Sequence, residues 1–220
     1  AALKKMGAPE DLVIGIETPS LETTNELMRQ CDLVLATGGG AMVHAAYSSG
    51  SPALGVGVGN AVITVDDTAD LDAAAEKIRL SKTLDLAASC SSDNSVVLLD
   101  GIYEAMLEKL KAQGGYLCNE EEKAALRNTL WDEELHLNTA IVAQPPGKIA
   151  QMAGLSTPEE TKFFIVPEDG WGPEHPFSGE KLSVIMALYR ARDIDHAIEL
   201  TQNIQAYQGQ GHSCGIYSSS

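Results

Sequence analysis

Short apolar runs and amphipathic stretches take turns along this chain. Leu12-Val13-Ile14-Gly15-Ile16 predicts a short buried strand. Ser20 through Gln30 predicts a helix, with Ser20 as N-cap and Leu21, Leu27 and Met28 at helical spacing. Asp32 to Ala36 reads as a second strand and runs straight into Thr37-Gly38-Gly39-Gly40. Ala41 to Ser48 follows as a helix of small residues. Ala53 to Asn60 alternates glycine with apolar residues, and Ala61 to Val65 is a strand. Leu71 to Leu84 is a long amphipathic helix. The alternation then repeats. Strands are expected at Val96–Leu99, Phe163–Val166 and Val184–Tyr189, and helices at Ile102–Gln113, Glu120–Glu133, Lys148–Gly154 and Asp193–Gln205. Strand–helix alternation of this kind implies an α/β fold with a mostly parallel sheet.

Composition narrows the classes. The 220 residues can bury a sizeable core. A net charge of -16 argues against nucleic acid and anionic membrane surfaces as partners. No apolar run reaches the roughly 20 residues that span a bilayer. The four cysteines, Cys31, Cys90, Cys118 and Cys214, form no CxxC pair, so no metal site is expected. A reduced, cytoplasmic protein is the simplest reading. Ala1-Ala2-Leu3-Lys4-Lys5 starts like the end of a helix, and the chain reads as a piece of a longer polypeptide.

Four features could carry chemistry. Glycines after a parallel strand, as at Thr37-Gly38-Gly39-Gly40, let backbone approach a phosphate at a helix N-terminus; a plain tight turn fits equally well. The run Gly55-Val56-Gly57-Val58-Gly59-Asn60 leaves one face without side chains, which suits close approach of a ligand or another backbone. Cys90, at a helix-to-strand junction, is either a nucleophile or inert packing. Glu180, at a strand entrance, either binds a hydroxyl or is solvated. His212, in the glycine-rich turn Gly209–Gly215, is a weaker candidate for a site edge, while His136, His175 and His196 read as surface or loop residues.

Taken in order, these pieces resemble the CoA-acylating branch of the aldehyde dehydrogenase superfamily. The resemblance rests on Leu35-Ala36-Thr37-Gly38-Gly39, Ala45 to Ala53, Gly55 to Asn60, Asp67-Thr68-Ala69-Asp70, Ser81-Lys82-Thr83, Cys90, Pro176 to Ser183 and Gly211-His212-Ser213. It is similar to the aldehyde domain of bifunctional aldehyde-alcohol dehydrogenases and to acylating sulfoacetaldehyde and succinate-semialdehyde dehydrogenases. The resemblance implies residues 1–60 as the end of a Rossmann-like NAD(P)-binding domain, 61–215 as an α/β catalytic domain and 216–220 as a tail. It implies Cys90 as the catalytic nucleophile and Thr37, Gly38, Gly39, Gly57 and Glu180 as cofactor-binding residues, with Glu180 on the nicotinamide ribose. Cofactors would be NAD or NADP, with coenzyme A as co-substrate, a small aldehyde as substrate and a homo-oligomer when full length. The water-activating Glu-Leu-Gly-Gly motif of the hydrolytic branch has no carboxylate counterpart in Gly55–Gly59, so a thiol acceptor is expected. The polar residues Ser89, Ser91 and Ser92 would suit an anionic aldehyde. Two other readings stand beside this one: a non-catalytic fragment serving as an assembly module, and a hydrolytic aldehyde dehydrogenase forming a free acid.

Overall fold

The computed structural model describes residues 2–220. They form two compact units, divided between Gly57 and Val58. The division falls three residues before the expected boundary, so Val58, Gly59 and Asn60 stand with the second unit.

The first unit contains α1 (Ala2–Lys5), α2 (Leu21–Gln30), β1 (Val34–Thr37), α3 (Gly40–Tyr47) and β2 (Ala53–Val56). Strands β1 and β2 pair in parallel, with Val34 opposite Ala53 and Thr37 opposite Val56. Ser20 caps α2 as expected, its hydroxyl accepting the Thr23 N–H at 3.0 Å. Met28, Val34, Ala36 and Ala46 make a small core. The strand expected over Leu12–Ile16 does not form; the segment is irregular, and Ile14 is 80% exposed. An apolar run becomes a strand only when another strand takes up its backbone groups, and no described strand pairs with this one.

The second unit carries a six-stranded sheet, order β5-β6-β7-β4-β3-β8, parallel throughout. Its strands are β3 (Ala61–Val65), β4 (Asp93–Leu99), β5 (Gly115–Leu117), β6 (Phe163–Pro167), β7 (Ile185–Ala191) and β8 (Cys214–Tyr217). Five helices connect them: α4 (Leu71–Thr83), α5 (Tyr103–Ala112), α6 (Glu120–Leu130), α7 (Pro146–Ala153) and α8 (Ile194–Tyr207). The central strands are buried along almost their whole length, as parallel strands covered on both faces must be. That burial explains why they read as unbroken apolar runs. Asp70, Asn119 and Asp193 cap α4, α6 and α8 through their side chains, and Asn119 completes a capping box with Glu122. Strand β5 is only three residues long and was not expected. Ile216 and Tyr217 belong to β8 rather than to a tail, because they pair with Thr64 and Val65 of β3.

The sheet order fixes where the chemistry can sit. Strands β7, β4, β3 and β8 are consecutive neighbours, so the loops entering their amino ends lie side by side. Those loops carry Glu180 before β7, Cys90 before β4, Asn60 before β3 and His212 before β8.

Candidate active site

Cys90 is exposed at the end of a tightly wound loop. Helix α4 stops at Thr83, and Asp85, Leu86 and Ala87 then take left-handed φ values of 47°, 53° and 60°. Non-glycine residues in this region cost roughly 1 kcal/mol or more each, so the loop must be held. A clasp at its neck holds it. The Ser81 hydroxyl donates to Asp93 Oδ1 at 2.9 Å and accepts the Asp93 N–H at 3.1 Å. The Ser92 hydroxyl donates to the Ser81 carbonyl at 3.0 Å. Ser92 is therefore buried in the clasp and unavailable to a substrate, contrary to the sequence expectation. Ser89 and Ser91 are exposed on either side of Cys90, with their hydroxyls 2.9 Å apart.

Gly59 lies against the thiol loop. A Cβ at this position would sit 2.7 Å from Cys90 Cβ, 2.8 Å from Glu180 Oε1 and 3.0 Å from the Cys90 carbonyl oxygen. Only glycine admits this approach. The Gly59 N–H donates to Glu180 Oε1 at 3.1 Å, so Cys90, Gly59 and Glu180 are brought together. Glu180 Oε2 has no hydrogen-bond partner among the described residues. Burial raises the pKa of Glu180, and the Gly59 N–H, Lys181 and Lys82 oppose the shift.

Two glycines of the alternating run have separate reasons, and the third has none in its packing. A Cβ on Gly55 would meet Val43 Cγ1 at 2.6 Å and Tyr47 Cε2 at 2.8 Å, so Gly55 serves helix packing. Gly57 has open space around it. Gly59 alone serves Cys90 and Glu180. Within the first unit, Thr37 ends β1, the Gly38 N–H donates to the Val56 carbonyl at 3.1 Å, and Gly39 is the N-cap of α3 with no side-chain cap. The first N–H groups of α3 are thus left without a side-chain acceptor, which suits an anionic ligand and equally a turn exposed to water. His212 is half-buried, with Nδ1 3.0 Å from the Ser213 hydroxyl.

Sequence reasoning gave no site role to three buried polar residues on the segments that flank Cys90. Lys82 is 1% exposed. Burial pushes its pKa down to about 7, while the charges of Asp93 and Glu180 pull it back up. Asp93 is raised by burial, against the Ser81 hydrogen bond and Lys82, and its Oδ2 has no partner. Asn94 bridges to Gly179 and Asn60. The available signal was the polar run Ser91–Ser95 at the head of an otherwise apolar strand. Cys118 contrasts with Cys90: it is buried, and its thiol is pushed up to about 12, which leaves it inert. Two groups of carboxylate and imidazole atoms elsewhere could approach a cation, Asp132-Glu134-His136 and Glu168-Asp169-His175. In the second, Lys123 and His175 already pair with Glu168.

Comparison with known proteins gives one consistent result. The profile of the aldehyde dehydrogenase family matches residues 1–118. The acylating sulfoacetaldehyde dehydrogenase of Cupriavidus necator is 45% identical over 222 residues, spanning 100% of this chain and 45% of that protein. The bifunctional aldehyde-alcohol dehydrogenase of Escherichia coli K12 is 44% identical over 214 residues, spanning 96% of this chain and 24% of that protein. Among solved structures, an acetylating aldehyde dehydrogenase from Geobacillus thermoglucosidasius superposes with a TM-score of 0.95 at 39% identity. That match covers all of this chain and 49% of the other. The chain thus spans half or less of the length of the relatives it matches.

Proposed function

This chain belongs to the aldehyde dehydrogenase family, and we propose that it is the thiol-bearing part of a CoA-acylating member, with Cys90 as the nucleophile. The observation that carries the proposal is the meeting of an exposed Cys90 with Gly59 and the half-buried Glu180. The Cys90 thiolate adds to an aldehyde carbonyl, forming a C–S bond and a thiohemiacetal. NAD(P)+ held at Glu180 would accept the hydride from the thiohemiacetal carbon; with that hydride gone and the hydroxyl proton released to solvent, Cys90 carries a thioester. The coenzyme A sulfur, its proton released to solvent, then forms a C–S bond to the acyl carbon, the C–S bond to Cys90 breaks, and the thiolate is restored.

Glu180 fits the cofactor role that the resemblance assigns to it. One carboxylate oxygen is anchored by Gly59 and the other is left to accept from vicinal hydroxyls, as on a ribose. Thr37, Gly38, Gly39 and Gly57 are the cofactor-binding residues that the resemblance assigns to the first unit. His212 would edge the same site. No carboxylate stands at the Gly55–Gly59 positions to activate water, which favours a thiol acceptor over hydrolysis. The relatives named as acylating or acetylating agree with that choice. The exposed hydroxyls of Ser89 and Ser91 favour an aldehyde with a polar or anionic tail. We assign the protein to the cytoplasm and expect a homo-oligomer; no helix among the described residues is long and apolar enough to cross a membrane.

The test uses the full-length protein. NAD(P)H formation from small aldehydes is followed with and without coenzyme A, in the wild type and in Cys90→Ala. The wild type should require coenzyme A and the variant should lose turnover entirely. Turnover retained by Cys90→Ala, or free acid formed without coenzyme A at the same rate, would overturn the proposal.

A further inference from the structure

Behind Cys90 and Glu180 lies a pair of buried carboxamides that belongs to neither the clasp nor the exposed site. Asn60 is fully buried and Asn94 is 4% exposed. Asn94 Nδ2 donates to the Gly179 carbonyl at 2.7 Å and to Asn60 Oδ1 at 2.6 Å. Asn60 Nδ2 donates to the carbonyls of Ser178 at 2.8 Å and Gln208 at 3.1 Å. Every side-chain N–H of the pair is therefore used. The orientation of both amides is also forced. Asn60 faces two backbone carbonyls, which accept only, so its NH2 must point at them and its oxygen at Asn94.

The network continues to the carboxylate. The Gln208 side chain accepts the Glu180 N–H at 3.0 Å. Lys181, itself fully buried, donates to the carbonyls of Gly179, at 2.9 Å, and Phe177. Two glycines make room: a Cβ on Gly209, where φ is +88°, would fall 2.5 Å from Asn60 Cβ, and one on Gly179 would fall 2.6 Å from Gln208 Oε1. The entries of four strands, β3, β4, β7 and β8, are thereby joined through side chains. Asn94 lies four residues after Cys90, Gly179 immediately before Glu180, and Gln208 four residues before His212.

We infer that Asn94 is a positioning residue, whose carboxamide fixes the strand that follows Cys90 against the loop that presents Glu180. The inference rests on the cofactor role proposed for Glu180. Packing alone does not require an amide here. An apolar side chain of similar size would fill the space, but only directional donors set the distance between the two loops. The Cys90 loop has its own anchor in the Ser81–Asp93 clasp. The backbone of the Glu180 loop just before the carboxylate is held by Asn94, Asn60 and Gln208. Loss of Asn94 should therefore act on the cofactor side and spare the thiol.

The test compares Asn94→Leu and Gln208→Leu with the wild type in the full-length protein, below each melting temperature. Four quantities are read: the dissociation constant for NAD(P)H by fluorescence, the KM for NAD(P)+, the rate at which iodoacetamide modifies Cys90, followed by mass spectrometry, and the melting temperature. Asn94→Leu should weaken NAD(P)H binding and raise the KM by about tenfold, the loss of one good hydrogen bond. Cys90 modification should stay within about threefold of wild type, the change that half such a bond would bring. Gln208→Leu, at a half-buried position, should move binding the same way by about threefold. Variants that melt earlier yet keep wild-type NAD(P)H affinity and KM would show a purely structural role and overturn the inference. If Asn94→Leu does not fold, unchanged NAD(P)H affinity in Gln208→Leu overturns it alone. A wild type that binds NAD(P)H but turns over no aldehyde would sink the proposed activity and leave this inference standing.

Discussion

Gly59→Ala is the sharpest perturbation the geometry offers. The new methyl would start 2.7 Å from Cys90 Cβ, where carbon atoms settle at about 3.5–4.0 Å. Something must therefore retreat by about 1 Å. The Glu180 carboxylate could swing away, but its Oε1 holds the Gly59 N–H and would lose that bond. The Cys90 carbonyl oxygen, 3.0 Å from the methyl, is backbone at the end of a clasped, left-handed loop and cannot swing. Overpacking of this kind costs about 1–3 kcal/mol. In a protein of this size that lowers the melting temperature by about 2–4 °C per kcal/mol. A displacement of about 1 Å at the reacting atom costs on the order of 100-fold in rate. The assay follows NAD(P)H formation with aldehyde and coenzyme A in the full-length protein, beside iodoacetamide modification of Cys90. Gly147→Ala is the control. Gly147 is exposed in α7 with no atom within 4 Å of its added Cβ, and alanine there should stabilise by up to about 1 kcal/mol. Wild-type turnover and thermal stability in Gly59→Ala would refute the close approach of Gly59 to the thiol loop.

Two further outcomes follow from burial. Lys82 titrates at about 7 in the folded protein, against about 10.5 when unfolded. Between those values the unfolded chain binds more protons, so wild-type stability should rise with pH across that window, by up to about 5 kcal/mol. Burial also lowers the pKa of Lys181, so Lys82→Met should make the rise shallower without abolishing it, as urea denaturation at pH 7 and pH 9.5 would reveal; an equal rise in both proteins would contradict it. Phe164→Ala removes a fully buried ring that packs edge-on against Tyr116 at 6.1 Å. It should cost about 3–5 kcal/mol, read as a lower urea midpoint at unchanged slope.

The fold was legible wherever burial and periodicity agree. Phe163–Val166 and Val96–Leu99 read as strands because both faces of a parallel sheet are covered, leaving no polar interruptions. Helices announced themselves through caps as much as through periodicity: Ser20 and Asp193 each accept a backbone N–H at the first turn. Leu12–Ile16 shows the limit of the same reasoning. Its composition fits a strand, but pairing is a property of neighbours, and composition does not supply them. Strand β5 escaped for the opposite reason, since three residues after Gly114 are too few to show a period.

The site was legible in its nucleophile and hidden in its support. Cys90 and Glu180 were named from resemblance, and pattern alone left each with a bland alternative. Their meeting depends on the sheet order, with β4 between β7 and β3, which is set by helical crossovers and not by any local signal. The same order explains Asn94. At the head of a strand, an asparagine ordinarily reads as a solvated entry residue. Here the strand is central, so its entry is covered by the loops of both neighbours, and the polar side chain is enclosed with the Gly179 carbonyl of one and the Asn60 carboxamide of the other. A buried carbonyl must be paired. Lys181 and Asn94 both donate to the Gly179 carbonyl, and the donor from β4 ties the loop before β7 to the strand that follows the thiol.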